Sequence, residues 1–140
     1  MEKYNLNNKE FSVRAAFIEN KFNAFGDNMM HPRFVVTITN DCGTRARFNY
    51  YASYNDYKKG KKELDRSDIL NAVECFLLDA LSYENSQDIL DFCAEFGYDI
   101  YEDRKRARKA FEGCKKHYEA AVRLFGNEYT NILNAIQEAE

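Results

Sequence analysis

The chain has 140 residues, a formal net charge of −3 and 45 % hydrophobic residues, with eleven Phe and ten Tyr but no Trp. That is enough apolar material to bury a core without disulfide or metal staples, which excludes a disordered chain, and the length fits a single domain over residues 1–140. The acidic balance, with a sequence pI of about 5.5, excludes a molecule-wide positive field for nucleic acid or membrane, so such binding would need a local patch.

The opening MEKYNLNNKEF has no apolar core of signal-peptide length. No stretch approaches the roughly 18–20 apolar residues of a membrane span, and the expected location is therefore the cytosol. Cys42, Cys75, Cys93 and Cys114 form no close pair, so in a reducing compartment they read as free thiols. Cys75, Cys93 and Cys114 fall on apolar faces of expected helices and read as small hydrophobes. With only His31 and His117 besides, neither a metal nor any other cofactor is expected.

In chain order, residues 1–9 are polar and Asn-rich and read as a flexible lead-in. From Phe11 to Ile18, Phe11, Val13, Ala15 and Phe17 alternate with Ser12, Arg14 and Ala16, the period of a half-buried strand. NAFGDNMMHP breaks that period, and Gly26, Asp27, Asn28 and Pro32 mark it as a loop. RFVVTITN and TRARFNYY then alternate again on either side of DCG. Asn40, Asp41 and Gly43 suit a short hairpin turn, with Arg45, Arg47 and Arg33 toward the outer face. Residues 52–66 have no usable period and read as a connecting loop.

Helical spacing takes over from there. Ser67 is a candidate cap for a helix whose stripe is Ile69, Val73, Phe76, Leu77, Ala80 and Leu81. Ser86 is a candidate cap for a shorter one that buries Ile89, Phe92, Cys93 and Phe96 and stops at Gly97. The longest helix is expected from about Glu102 to Phe125, closed by Gly126, and a last one from about Glu128 to Gln137. Strands first and helices afterwards predict an α+β fold: an N-terminal antiparallel sheet of about three strands, then a C-terminal bundle of about four helices.

The run from Ala72 to Gly126, preceded by HPRFVVTIT, resembles a family of small uncharacterised phage and prophage proteins with an FCxEFGYD motif. The matching positions are His31, Val35 to Ile38, Cys75, Asp79, Ala80, Phe92, Cys93, Glu95 to Asp99, Arg104, Lys105, Ala107 and Cys114. Tyr101, Glu102 and Asp103 depart from the family's usual Asp-Ser. Phage genes of this type include inhibitors of bacterial defence, anti-CRISPR proteins among them. The resemblance thus implies a non-enzymatic phage or mobile-element protein that binds and inhibits a host defence complex in the bacterial cytosol. Its partner would be a host protein or nucleoprotein complex.

The reactive-looking segment DFCAEFGYD, residues 91–99, divides on this reading between a buried and a solvated side of one helix end. Asp88, Asp91, Glu95, Asp99, Glu102 and Asp103 form an acidic face, a candidate partner-binding surface, without the compact loop a calcium site needs. Asp99 or Asp103 is placed near the dipole of the long helix, with Tyr98 packing back across the junction. Lys58, Lys59, Lys61, Lys62, Arg104 and Arg108 are the alternative, a nucleic-acid-binding patch with Tyr54 and Tyr57 as stacking partners if the lysine loop folds beside the helix. Cys114 and His117, three apart on one helix, are neighbours in space, yet their apolar surroundings make core packing the reading and no enzyme is expected.

Overall fold

Alternation in residues 33–40 decides the sheet: with a period of two, Phe34, Val36 and Ile38 all leave on one side of the strand, and all three are buried. The computed structural model describes residues 2–18, 21–22, 28–30, 33–51, 58–86 and 88–139. It sorts into two compact units, Met1–Ala72 and Val73–Glu140. Gly26, Asp27, His31, Pro32, Tyr54 and Tyr57 lie outside the described residues.

The first unit holds β1 (Glu2–Leu6), β2 (Lys9–Ile18), β3 (Lys21–Phe22), β4 (Asn28–Met30), β5 (Arg33–Asn40) and β6 (Arg45–Tyr50). Four of them make an antiparallel sheet in the order β1-β2-β5-β6, and β3 pairs with β4 separately. In register, Val13 faces Ile38 and Ile38 faces Ala46, while Val36 faces Phe48, so one face collects the buried side chains of three strands. Arg14, Arg45 and Arg47 are exposed on the other face, where Arg33 Nε donates to Asn49 Oδ1 at 3.2 Å.

The β5–β6 hairpin closes as its sequence predicts. Asn40 Oδ1 accepts the amides of Cys42 and Thr44 at 3.0 and 2.9 Å, and Gly43 takes a φ of +85°.

Two expectations for this unit are corrected. Residues 2–6, read as part of a flexible lead-in, form the edge strand β1: Asn7 and Asn8 take φ of 51° and 63°, the left-handed pair of a tight hairpin, and Tyr4 is buried in a stack on Phe11 at 5.5 Å. Asparagine tolerates that backbone, so a polar pair that looks like disorder works as a turn. Asn28, read as loop, begins the short strand β4.

The helices are α1 (Arg66–Asn85), α2 (Ile89–Phe96), α3 (Arg104–Phe125) and α4 (Tyr129–Ala139), with a 3₁₀ turn over Gly126–Glu128. The expected α+β order, sheet first and helices afterwards, is what the chain adopts. Among the described residues, no helix is long and apolar enough to cross a membrane.

Both predicted caps shift to a nearby aspartate. At the start of α1, Asp65 Oδ1 accepts the Asp68 amide at 2.8 Å and Asp68 Oδ2 accepts the Asp65 amide at 3.3 Å, a reciprocal box that leaves Ser67 exposed. For α2 the cap is Asp88, which accepts the Asp91 amide at 2.9 Å. Ser86 is buried instead and donates its hydroxyl to the Ser82 carbonyl at 2.7 Å, inside the last turn of α1.

Within the second unit an aromatic series joins the helices. Phe92 packs edge-on to Phe111 at 5.5 Å, Tyr83 meets Phe111 and Tyr118 at 5.4 and 5.2 Å, and Tyr118 meets Tyr129 at 6.1 Å. Such tilted pairs contribute roughly 0.5–1.5 kcal/mol each beyond the area they bury. Around them Val73, Phe76, Leu77, Ala80, Leu124, Ile132, Leu133 and Ile136 are buried. Phe96 and Cys75, read as buried, are exposed: Phe96 is the last residue of α2, where the helix leaves the core, and Cys75 falls on the side of α1 opposite Val73, Leu77 and Ala80.

Candidate binding surface

Gly97 decides how residues 91–99 are arranged. Its φ of 74° and ψ of 21° turn the chain out of α2 in the left-handed conformation, and its amide and that of Tyr98 both reach the Cys93 carbonyl. Phe92 and Cys93 are thereby buried while Asp91 and Glu95 face solvent. Past the glycine, Tyr98 folds back and stacks on Phe92 at 6.1 Å, with the Arg106 guanidinium 5.8 Å from its ring centre. Cys93 is buried, whereas Glu95 and Asp99 are exposed.

The six acidic residues divide by what their oxygens do. Asp88 caps α2, and Asp99 Oδ1 accepts the amides of Tyr101 and Glu102 at 2.8 and 3.1 Å. Asp103 occupies the N-cap position of α3, yet its Oδ2 accepts the Asp99 amide at 3.2 Å and its Oδ1 lies 3.6 Å from Arg106, so it gives that helix no side-chain cap. Asp91, Glu95 and Glu102 are exposed; Glu95 Oε2 also accepts the Ser86 hydroxyl at 3.4 Å. Among the described residues, no group of three or more His, Cys, Asp and Glu is placed to hold a metal ion.

The basic residues belong to different units. Lys58, Lys59 and Lys62 are exposed in the first unit, where Lys61 is ion-paired with Asp68. Burial alone would raise the Asp68 pKa, but the Lys61 ammonium and the Asp65 amide outweigh it and hold the carboxyl below its usual value. Arg104 and Arg108 lie in the second unit, one turn apart on α3. There they line a cleft of about 300 Å³ with Ile89, Leu90, Ile100 and Tyr101. Neither arginine has an ion-pair partner among the described residues.

Leu90 and Tyr101 are 60 % and 91 % exposed, so this cleft offers apolar surface to solvent beside two guanidinium groups. Sequence reasoning passed over it. The available signal was that Leu90 falls outside the stripe of Ile89, Phe92, Cys93 and Phe96, which leaves a large aliphatic side chain with no place in the core.

Cys114 and His117 acquire a third neighbour that the sequence did not assign to them. Asp79, from α1, places Oδ2 2.9 Å from His117 Nδ1, and the Phe76 ring centre lies 5.0 Å from the imidazole. A thiol, an imidazole and a carboxylate thus share one region, but burial and the Asp79 charge push the Cys114 thiol up to about 11. Nucleophilic cysteines have lowered pKa values; this one stays protonated at neutral pH.

Comparison with protein-family models, curated proteins and solved structures finds no match. The distinctive surface of the second unit is the α2–α3 segment, where Leu90, Phe96 and Tyr101 are exposed among Asp91, Glu95 and Glu102.

Proposed function

We propose that this chain is a non-enzymatic binding protein of phage or mobile-element type, which occupies a surface of a bacterial host defence complex and inhibits it in the host cytosol. The observation that carries the binding reading is the exposure of Leu90, Phe96 and Tyr101 within one short segment that also presents Asp91, Glu95 and Glu102. Leu90 and Tyr101 line one cleft, and exposed apolar surface bordered by polar groups is a mark of interaction sites. The raised Cys114 pKa supports the non-enzymatic part, because it opposes thiolate chemistry at the best-assembled group of reactive side chains. The host-defence part rests on the resemblance of residues 31–126 to small phage proteins.

A pull-down from host lysate, paired with phage challenge of defence-positive cells expressing the chain, tests this. A specific partner and surviving phage are expected. No partner and no protection of the phage would defeat the reading.

A second reading, a nucleic-acid-binding accessory protein, draws on Arg104 and Arg108, which have no ion-pair partner among the described residues. The Lys61–Asp68 ion pair weighs against it, since one of the candidate cations is already engaged. It predicts binding that weakens steeply with salt and falls on charge reversal at Lys59, Lys62, Arg104 and Arg108.

A further inference from the structure

The cleft between the starts of α2 and α3 combines two kinds of recognition. Ile89, Leu90, Ile100 and Tyr101 give it an apolar lining, and Arg104 and Arg108 add two cations one helical turn apart. At about 300 Å³ it lies at the bottom of the size range for ligand pockets, roughly 300–1,000 Å³, so it suits a side-chain-sized anchor rather than a whole cofactor. The lining itself contains two guanidinium groups and no carboxylate. The first turn of α3 contains no acidic residue, Asp103 provides no side-chain cap, and the partial positive charge of the helix start adds to that of the arginines. Asp88, Asp91, Asp99, Glu102 and Asp103 each adjoin a lining residue in the chain, but none of them is part of the lining.

We infer that this cleft docks a short acidic peptide segment of a partner protein, with one large apolar side chain inserted between Leu90 and Tyr101 and flanking carboxylates held by Arg104 and Arg108. The inference deepens the binding reading above, on which it rests, by assigning the partner's chemistry at one part of the surface. Guanidinium groups pair with carboxylates bidentately, and so fix the direction of the segment, while the apolar anchor supplies the area removed from water. Each feature alone is unremarkable: arginines on a helix face serve solubility, and a lone exposed leucine is common. Together around one concavity they select a ligand that is both acidic and apolar.

The test is fluorescence anisotropy on the purified chain, which needs no host partner and so separates failure of this inference from failure of the proposed function. The probe is a fluorescein-labelled peptide with a central Leu-Phe pair and two carboxylates on each side. Controls replace the Leu-Phe pair by two serines, or the carboxylates by lysines, and a labelled single-stranded oligonucleotide is titrated in parallel. Saturable binding of the acidic apolar peptide is expected. It should weaken about tenfold or more in Arg104→Glu, Arg108→Glu and Leu90→Ser, and by a similar factor in either control peptide. Circular dichroism checks that the variants fold, and Arg108→Gln stands in for a charge reversal that does not. Absent binding, binding indifferent to Leu90→Ser, or preference for the oligonucleotide with dependence on the arginines alone would each overturn the inference.

Discussion

His117 Nδ1 stands 2.9 Å from Asp79 Oδ2, which ties the middle of α3 to α1 within the second unit. The same carboxylate raises the pKa of Cys114, one turn earlier on α3, so a single side chain influences both reactive groups of that helix. Asp79→Asn should lower the Cys114 pKa from about 11 toward, but not to, its ordinary 9.0, because burial is the larger cause and persists. The pH dependence of Cys114 alkylation, followed by mass spectrometry, measures this. In the unmodified chain the exposed Cys42 and Cys75 should react well before Cys114 or the buried Cys93.

Tyr129 is buried and donates its hydroxyl to Glu84, a bond that, with burial, raises its pKa above the usual 10.0. Since the folded value is the higher one, the contribution of Tyr129 is complete below about pH 10 and is lost as pH rises toward the folded value. Tyr129→Phe should cost about 1 kcal/mol at neutral pH, the net worth of one hydrogen bond whose acceptor is exposed and regains water. It should also flatten the loss of stability above pH 10. Urea melts of both proteins at pH 7 and across the alkaline range check both effects.

The turn at Gly97 is open: a Cβ built there meets nothing within 4 Å, so a side chain would be opposed by backbone conformation alone. Gly97→Ala should therefore destabilise by roughly 1 kcal/mol, and Gly97→Asn by less, because asparagine tolerates a positive φ. A cost well above that, measured by denaturant unfolding, would mean that the turn depends on more than its φ.

The edge strand β1 yields a sharper test of the N-terminus. With Tyr4 buried against Phe11 and the Arg66 guanidinium 4.5 Å from its ring centre, Tyr4→Ala should cost about 3–5 kcal/mol, the range for a buried aromatic truncated to alanine. A flexible lead-in would lose nothing measurable. Hydrogen exchange should show protected amides in residues 2–6 where they pair with β2.

What the sequence disclosed follows from where the signal is local. Strand alternation in 33–40 and 45–50, the helical stripes of Val73 to Ala80 and Ile132 to Ile136, and the glycine stop at 97 depend on neighbours within a few residues, and the α+β order came from them. Tyr4 was missed because its partner Phe11 lies across a turn made of two asparagines that composition alone reads as disorder. Serine and aspartate both cap helices well, so at the two helix starts only the geometry of Asp65 and Asp88 separates them from Ser67 and Ser86. The candidate surface was half legible. The acidic residues were visible as a run, whereas the Leu90–Tyr101–Arg104–Arg108 cleft brings together residues from two helices and their connection, which no periodicity within one element reveals.

The proposed function makes the α2–α3 segment the surface through which the chain binds its partner. Parallel pull-downs from host lysate with the unmodified chain and a Leu90→Ser/Tyr101→Ser variant, each scored for phage survival in defence-positive cells, address it most directly. Both side chains are exposed, so the substitutions should leave stability nearly unchanged. A specific partner and surviving phage are expected with the unmodified chain, and loss of both with the variant. Equal capture and equal survival with the two proteins, or neither with the unmodified chain, would contradict it.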